Sequence, residues 1–212
     1  MKLYSFFNSS TSNRVRIALA LKGLAYDYVP VNIRTLEHRA ADYVALNASA
    51  NVPFLVDGDV ALGQSLAIVD YLDSMYSEPC LIPQNAVLRA HVLEFASVIG
   101  SEMHPINNTR ALRYLKEELG VSDAQKNAWY AHWIDDGFAS AERLLTRHGG
   151  APFAFGDQPT LADCWLVPQV ANALRMNCKI DKFPRVEAVF RHCMTLSAFQ
   201  AAAPDRQPDF VA

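Results

Sequence analysis

The sequence predicts a small α/β domain with a mixed sheet, followed by an all-helical domain. Three observations carry this prediction. Up to residue 76, strand and helix patterns alternate in the order βαβαββα. A segment with two prolines, Pro79 and Pro83, is then typical of a linker. From Ala86 onward, strand patterns disappear and long helical patterns take their place.

The first strand and the first helix are joined by a run of hydroxyl residues. Leu3–Phe7 is apolar and predicts a strand, and the run Ser9–Ser12 follows soon after. Arg14–Leu21 contains no Gly, Pro or Asn and is apolar on nearly every face, which predicts a helix packed on both sides. Gly23 is typical of its end. Ser and Thr at a helix start usually act only as caps. The same position also favours an anion such as a thiolate, because a helix start has free N–H donors and a partial positive charge.

The rest of the α/β domain follows in chain order. The β-rich run 26–32 predicts a second strand, which completes a βαβ unit. A weak helical pattern covers 34–46. Two apolar runs on either side of Asp57-Gly58 predict a hairpin, and an amphipathic helix is predicted over 64–72.

The second domain shows four helical patterns. They cover 87–118, with a bend expected at His104-Pro105, and then 122–145, 161–176 and 184–196. Thr160 and Asp163 have the spacing of a capping box at the start of the third pattern.

Composition narrows the range of functions. Hydrophobic residues make up 51% and charged residues 19% of the 212 residues, which predicts a sizeable core. The net charge of -3 and the absence of a basic stripe argue against nucleic acid as a partner. We expect neither a signal peptide nor a membrane span. The four cysteines have no Cys-x-x-Cys pair and no metal-ligand spacing, so we expect no metal, and free thiols in the cytoplasm.

Several short motifs occur in a characteristic order. They are Ser9–Leu19, Val52-Pro53, 64–68, 105–108, 161–170 and 207–209. Over essentially the whole chain, the sequence resembles the cytosolic glutathione transferases, and Ser9–Leu19 is similar to the signature of their zeta class, which includes maleylacetoacetate and maleylpyruvate isomerases. The resemblance implies a thioredoxin-like α/β, glutathione-binding domain over 1–78 and an all-α, substrate-binding domain over 86–212.

The resemblance also implies glutathione as cosubstrate and assigns residues to its site. Ser9 matches the family's catalytic serine, whose hydroxyl would donate to the glutathione sulfur, and Ser10 and Thr11 would add donors. Val52 matches the residue before a cis-proline, Pro53, and its backbone would pair with glutathione like an added strand. The other implied glutathione contacts are Gln64 and Ser65 for the γ-glutamyl carboxylate, His38 for the glycyl carboxylate, and His104, Asn108 and Thr109. His38 fits a solvated helix residue equally well.

Substrate contacts are assigned to Asn8, Arg110 and Arg175, since a guanidinium fork suits a carboxylate. For Arg14 and Arg16 we favour buried ion pairs with an Asp or Glu over substrate contact. Two positions depart from the family's pattern. Asn8 stands where the family often has Arg, which removes one carboxylate anchor, and Thr11 stands where it often has Cys.

The implied function is a glutathione-dependent cis–trans isomerisation in the breakdown of aromatic compounds. The thiolate would add to the double bond of maleylacetoacetate or maleylpyruvate, the resulting single bond would rotate, and elimination would release the trans product. The alternative is a general glutathione transferase or peroxidase that acts on halogenated acids or peroxides. A non-catalytic interaction module of the same fold is a third hypothesis. By resemblance, we expect a homodimer that binds glutathione and a small dicarboxylate-type substrate.

Overall fold

A computed structural model describes residues 1–211; Ala212, the last residue of the predicted second domain, lies outside the described residues. The chain folds into two compact units. The first comprises Met1–Ile82 together with the segment that begins at Met194, and the second is Pro83–Cys193. The boundaries 1–78 and 86–212 stay a prediction, and the structure adds that the C-terminal segment packs with the first unit rather than the second.

The first unit is built on a four-stranded mixed sheet with the strand order β2-β1-β3-β4. The strands are β1 (Lys2–Ser5), β2 (Asp27–Pro30), β3 (Phe54–Asp57) and β4 (Val60–Gly63). β1 pairs in parallel with β2 and antiparallel with β3, and β3 and β4 form the hairpin predicted around Asp57-Gly58. The predicted α/β organisation is confirmed, although β2 is shorter than the predicted 26–32.

Three helices accompany this sheet: α1 (Ser10–Leu21), α2 (Ala41–Leu46) and α3 (Ser65–Met75). The weak helical pattern over 34–46 does not give one helix. It gives a 3₁₀ turn at Glu37–Arg39 and then α2, because Leu36 has a positive φ of 65° and interrupts the helical backbone before the turn.

The sheet and the helices share a fully buried apolar core. Leu3 of β1, Val15 and Ile17 of α1, and Ile68 and Leu72 of α3 each have 0% of their surface exposed. Since α1 is buried on nearly every side, its first turn is held in place by packing along the whole helix. The predicted two-sided packing of this helix is therefore confirmed.

The second unit is helical. Its helices are α4 (Ala86–Ser97), α5 (His104–Asn107), α6 (Thr109–Glu117), α7 (Asp123–His148), α8 (Leu161–Arg175) and α9 (Pro184–Cys193). The bend expected at His104-Pro105 takes the form of a π-helical segment, Val98–Met103, directly before α5. A proline ring clashes with the carbonyl four residues earlier, so the preceding helix widens. A second break, which we did not expect, occurs at Asn108, whose extended backbone starts α6.

The start of α8 is fixed by Asp163, as the capping-box spacing predicted. Its Oδ2 accepts hydrogen bonds from the backbone N–H of Thr160 at 2.8 Å and from the Thr160 hydroxyl at 3.1 Å. Its Oδ1 accepts from Ala154 N–H at 2.9 Å. Burial raises the pKa of this carboxyl group, and these donors oppose that effect by stabilising its charged form.

The C-terminal segment completes the first unit. It contains α10 (Ser197–Ala201) and a 3₁₀ turn at Pro204–Arg206. The α10 helix packs against α1, and Arg16 Nε of α1 donates to Ala202 O at 3.0 Å. Among residues 1–211, no helix combines the length and the apolar character needed to cross a membrane.

Candidate active site

The turn between β1 and α1 places Ser9 at the start of the helix. Ser9 N–H donates to Phe6 O at 3.0 Å, which closes the turn. Ser9 has an extended backbone (φ -81°, ψ 117°), and its Oγ accepts the Ser12 N–H at 3.2 Å. Ser9 is therefore the N-cap of α1, as the hydroxyl run predicted, and its hydroxyl lies where the helix dipole favours negative charge.

The hydroxyl groups of Ser9 and Thr11 form a directed hydrogen-bond chain. Ser9 Oγ and Thr11 Oγ1 are 3.0 Å apart, and Thr11 Oγ1 donates to Val52 O at 3.0 Å. A hydroxyl group carries a single proton, so Thr11 must accept from Ser9 while it donates to Val52. Of the two hydroxyl protons, that of Thr11 is donated to a backbone carbonyl and that of Ser9 only to the Thr11 hydroxyl. Rotation of the Ser9 hydroxyl can therefore redirect its proton to an incoming anion.

Val52 lies in a loop whose backbone is held by side-chain hydrogen bonds. The Val52-Pro53 peptide bond is cis, which confirms the prediction. The hydroxyl of Tyr43 and the amide of Asn47 both donate to Asn51 O, each at 2.7 Å. These bonds hold the peptide that precedes Val52, so the Val52 carbonyl is presented to Thr11 in a defined direction. Each carbonyl oxygen has two lone pairs, so the bond from Thr11 leaves one acceptor site.

The start of α3 provides a second set of donors. Gln64 is exposed and has a φ of 67°, an unfavourable conformation for a residue with a side chain. Ser65, the first residue of α3, is buried, and its Oγ accepts from Arg14 Nη1 at 3.5 Å. The first backbone N–H groups of a helix have no partner within it, so this helix start suits a carboxylate.

The other predicted site residues of the first unit are Asn8, Ser10 and His38, and each is at least partly buried. Asn8 is half-buried and directly precedes Ser9, and Ser10 opens α1 with 9% of its surface exposed. His38 is buried within the 3₁₀ turn Glu37–Arg39. The alternative of a solvated helix residue is therefore wrong for His38, because that turn places its side chain inside the unit.

The remaining predicted residues belong to the second unit. His104 begins α5, and Asn108 caps α6 by accepting the Ala111 N–H at 3.1 Å. Thr109 and Arg110 form the exposed first turn of α6. Arg175 ends α8, is exposed, and donates to Asn172 Oδ1.

Within residues 1–211, the hydrogen bonds of Arg16 do not form the expected buried ion pair with an Asp or Glu. Arg16 is 1% exposed, and its guanidinium donates to neutral oxygens: Ser5 Oγ at 3.1 Å, Phe6 O at 3.2 Å, Phe7 O at 2.9 Å and Ala202 O at 3.0 Å. Burial lowers the pKa of Arg16, and nearby tyrosines and Asp209 partly offset this. The expectation failed because the carbonyls of a turn can satisfy a guanidinium fork as well as a carboxylate does.

Sequence reasoning missed two residues beside this turn. The Arg34 guanidinium lies 5.5 Å from the ring centre of Phe6 and 5.1 Å from that of Phe7. Asp209 accepts a hydrogen bond from Phe7 N–H at 3.0 Å. The only sequence signal for Asp209 was its place in the motif 207–209, and a distance of 202 residues along the chain left no local pattern to reveal its partner.

Comparison with known proteins identifies the family. Residues 1–74 match the model of the glutathione S-transferase N-terminal domain. The chain is 44% identical to a maleylpyruvate isomerase from Ralstonia sp. over 99% of both chains. A solved maleylpyruvate isomerase, described as a bacterial zeta-class glutathione S-transferase, superposes with a TM-score of 0.97 and 44% identity over 100% of both chains. The chain belongs to the zeta-class glutathione transferases.

A second comparison concerns a structure solved with ligands. It is a maleylacetoacetate isomerase from Anaeromyxobacter dehalogenans with bound dicarboxyethyl glutathione and citrate in its active site. This chain matches it with 39% identity and a TM-score of 0.86, over 98% of this chain and 92% of that one. The two-domain glutathione transferase fold predicted from the sequence is thus confirmed.

The capping role of Ser9 leads to a stability prediction. Replacing Ser9 with Ala removes the acceptor for Ser12 N–H and is expected to lower the free energy of unfolding by about 1 kcal/mol. Replacing it with Gly is expected to cost only a few tenths of a kcal/mol, roughly, since Gly leaves the helix start open to water. Urea unfolding measures both values. Equal losses in the two variants would contradict the capping role.

Proposed function

We propose that this chain is a glutathione-dependent cis–trans isomerase of maleylpyruvate or maleylacetoacetate. The observation that carries the proposal is the hydrogen-bond chain from Ser9 through Thr11 to Val52 O. The Ser9 proton is donated only to the Thr11 hydroxyl, and rotation of the Ser9 hydroxyl would turn it toward an anion at the start of α1. The chain's likeness to named maleylpyruvate and maleylacetoacetate isomerases, over nearly its whole length, supports this choice of reaction.

The chemistry of the donor set fits glutathione. A tripeptide with a thiol and two carboxylates needs a donor for its sulfur, a backbone partner and at least one carboxylate site. Ser9 supplies the donor for the sulfur, and the remaining acceptor site of Val52 O supplies the backbone partner. The start of α3 at Gln64 and Ser65 supplies the carboxylate site. The unfavourable backbone of Gln64 is consistent with a ligand-binding position.

Bound glutathione supplies a sulfur nucleophile whose reversible addition converts the substrate's double bond into a single bond that can rotate. The protein's part is to keep that sulfur ionised. The Ser9 hydroxyl rotates from Thr11 toward the sulfur and donates to it, and the α1 dipole favours the same negative charge. Ser10 and Thr11 occupy the first turn of α1 and add polar groups to the same place.

Recognition of a dicarboxylate substrate is assigned to Asn8, Arg110 and Arg175. The half-buried amide of Asn8 adjoins Ser9 and can donate hydrogen bonds without carrying charge. Arg110 and Arg175 are exposed guanidinium groups of the second unit that suit carboxylates. The resemblance to the family also assigns glutathione contacts to His104, Asn108 and Thr109 of the second unit and to His38 of the first, and these assignments stay predictions.

One observation favours the alternative of a general glutathione transferase. Asn8 provides no positive charge next to Ser9, so a substrate carboxylate has a weaker anchor there than an Arg would give. The thiolate chemistry is unchanged, and only the substrates differ.

Turnover assays separate the two functions. We expect rapid isomerisation of maleylpyruvate, or of maleylacetone as a stand-in for maleylacetoacetate, with strict dependence on added glutathione. Fumarylpyruvate formation can be followed by ultraviolet absorbance, and the reaction without glutathione is the control. If neither compound reacts while glutathione still binds, the isomerase proposal is wrong and the general transferase replaces it.

The Ser9 variants separate catalysis from stability. Both Ser9→Ala and Ser9→Gly remove the hydroxyl donor, so both are expected to raise the pKa of the bound glutathione thiol and to lower kcat/KM by about 10²- to 10³-fold. Stability should fall clearly in the Ala variant only. The ultraviolet absorbance of the thiolate, followed against pH, reports the thiol pKa. Full activity in Ser9→Gly would contradict the proposed role.

We further propose a cytoplasmic homodimer. The assembly follows from the family resemblance, and exposed apolar side chains are available for an interface: Leu66 is 49%, Met75 61% and Val87 67% exposed. The location is supported by the four cysteines, which form no disulfide bond within the described residues and so suit a reducing compartment.

A further inference from the structure

The C-terminal segment binds the backbone immediately before the proposed catalytic serine. Phe7 N–H donates to Asp209 Oδ2 at 3.0 Å, and the hydroxyl of Tyr28 donates to Asp209 Oδ1 at 2.6 Å. Both carboxylate oxygens are thus engaged, one by the turn that leads to Ser9 and one by β2. Hydrogen bonds to an ionised acceptor are stronger and more directional than neutral ones.

The same short turn is held from its other side by Arg16. Its guanidinium binds Phe6 O at 3.2 Å and Phe7 O at 2.9 Å, while Asp209 binds the N–H of Phe7. A positively charged side chain therefore binds the carbonyl oxygens of this turn, and a negatively charged one binds an N–H group of the same turn. Since Ser9 N–H in turn donates to Phe6 O at 3.0 Å, a shift of this turn would move Ser9 with it.

Aromatic contacts bring the end of the chain to the same place. The ring of Phe210 packs edge-on against Phe7, with 5.5 Å between ring centres, and Arg34 covers Phe6 and Phe7. Burial and the hydrogen bond to Asp209 raise the pKa of Tyr28, so its hydroxyl stays protonated and remains a donor.

We propose that Asp209 is a positioning residue for Ser9: it holds the Phe7 peptide so that the Ser9 hydroxyl meets the glutathione sulfur at hydrogen-bond distance. The inference rests on the proposed function of Ser9. Asp209 does not touch substrate in this account. It acts through the backbone of Phe7 and Asn8, and it makes the C-terminal segment part of the active-site framework.

The effect of losing Asp209 should appear in catalysis as well as in stability. Displacing a catalytic group by about 1 Å can reduce rates by roughly 10²-fold. Asp209→Asn keeps the size of the side chain but removes its charge and replaces one acceptor oxygen with a donor, so it cannot accept from both Phe7 and Tyr28 as the carboxylate does. We expect a higher pKa for the bound glutathione thiol and a kcat lower by about 10-fold or more.

The experiment compares Asp209→Asn with Asp205→Asn and Ser9→Ala. Asp205 lies in the same segment, is exposed, and carries the same charge, so its variant controls for the charge change. Thiol pKa, kcat, KM for glutathione and melting temperature are measured for each. A raised thiol pKa and lower kcat in Asp209→Asn, with Asp205→Asn unchanged, support the proposal. A lower melting temperature with unchanged thiol pKa and kcat overturns it, because Asp209 is then only structural.

The Ser9→Ala variant separates the proposed function of Ser9 from the positioning role of Asp209. If Ser9→Ala itself leaves the thiol pKa unchanged, the proposed function of Ser9 fails, and the positioning role fails with it. If Ser9→Ala raises the thiol pKa and Asp209→Asn does not, only the positioning role fails. Should Asp209→Asn not fold, Asp209→Glu, which keeps the charge but displaces the carboxylate from Phe7 N–H by one methylene group, is judged by the same measurements.

Discussion

The buried guanidinium of Arg16 is the interaction on which the structure around the candidate site depends. A charge with 1% exposure is costly to bury unless its donors are satisfied. Arg16 meets this requirement with Ser5, two carbonyls of the turn after β1, and Ala202 of the C-terminal segment. These oxygens are therefore fixed in place, and the beginning and end of the chain are tied together.

The site chemistry follows from that constraint. The turn held by Arg16 places Ser9 at the start of α1, and the helix is immobilised by its buried sides. Thr11 then links Ser9 to Val52 O, so the Ser9 proton is held only by the Thr11 hydroxyl and can be redirected to a ligand by rotation. Donors held in place by the fold stabilise developing charge strongly, and here only the Ser9 hydroxyl has to turn. The catalytic potential of a common helix cap thus comes from what surrounds it.

Features set by neighbouring residues could be predicted from the sequence. The hydroxyl turn, the hairpin at Asp57-Gly58 and the capping box of Asp163 all depend on a few adjacent side chains. Features set by distant residues could not be predicted. The partners of Arg16, the binding of Phe7 by Asp209, and the packing of the C-terminal segment with the first unit depend on contacts across most of the chain. The positive φ of Leu36, which splits the helical pattern over 34–46, also lacks a local glycine signal.

A crystal structure of the protein with glutathione tests the central claim most directly. We expect the glutathione sulfur to lie within about 3.5 Å of Ser9 Oγ, a distance at which a hydroxyl still donates to sulfur, and the cysteinyl backbone to bind Val52 O. A sulfur atom placed beside another donor, with Ser9 still bound to Thr11, would contradict it. Ser9 would then be a helix cap alone.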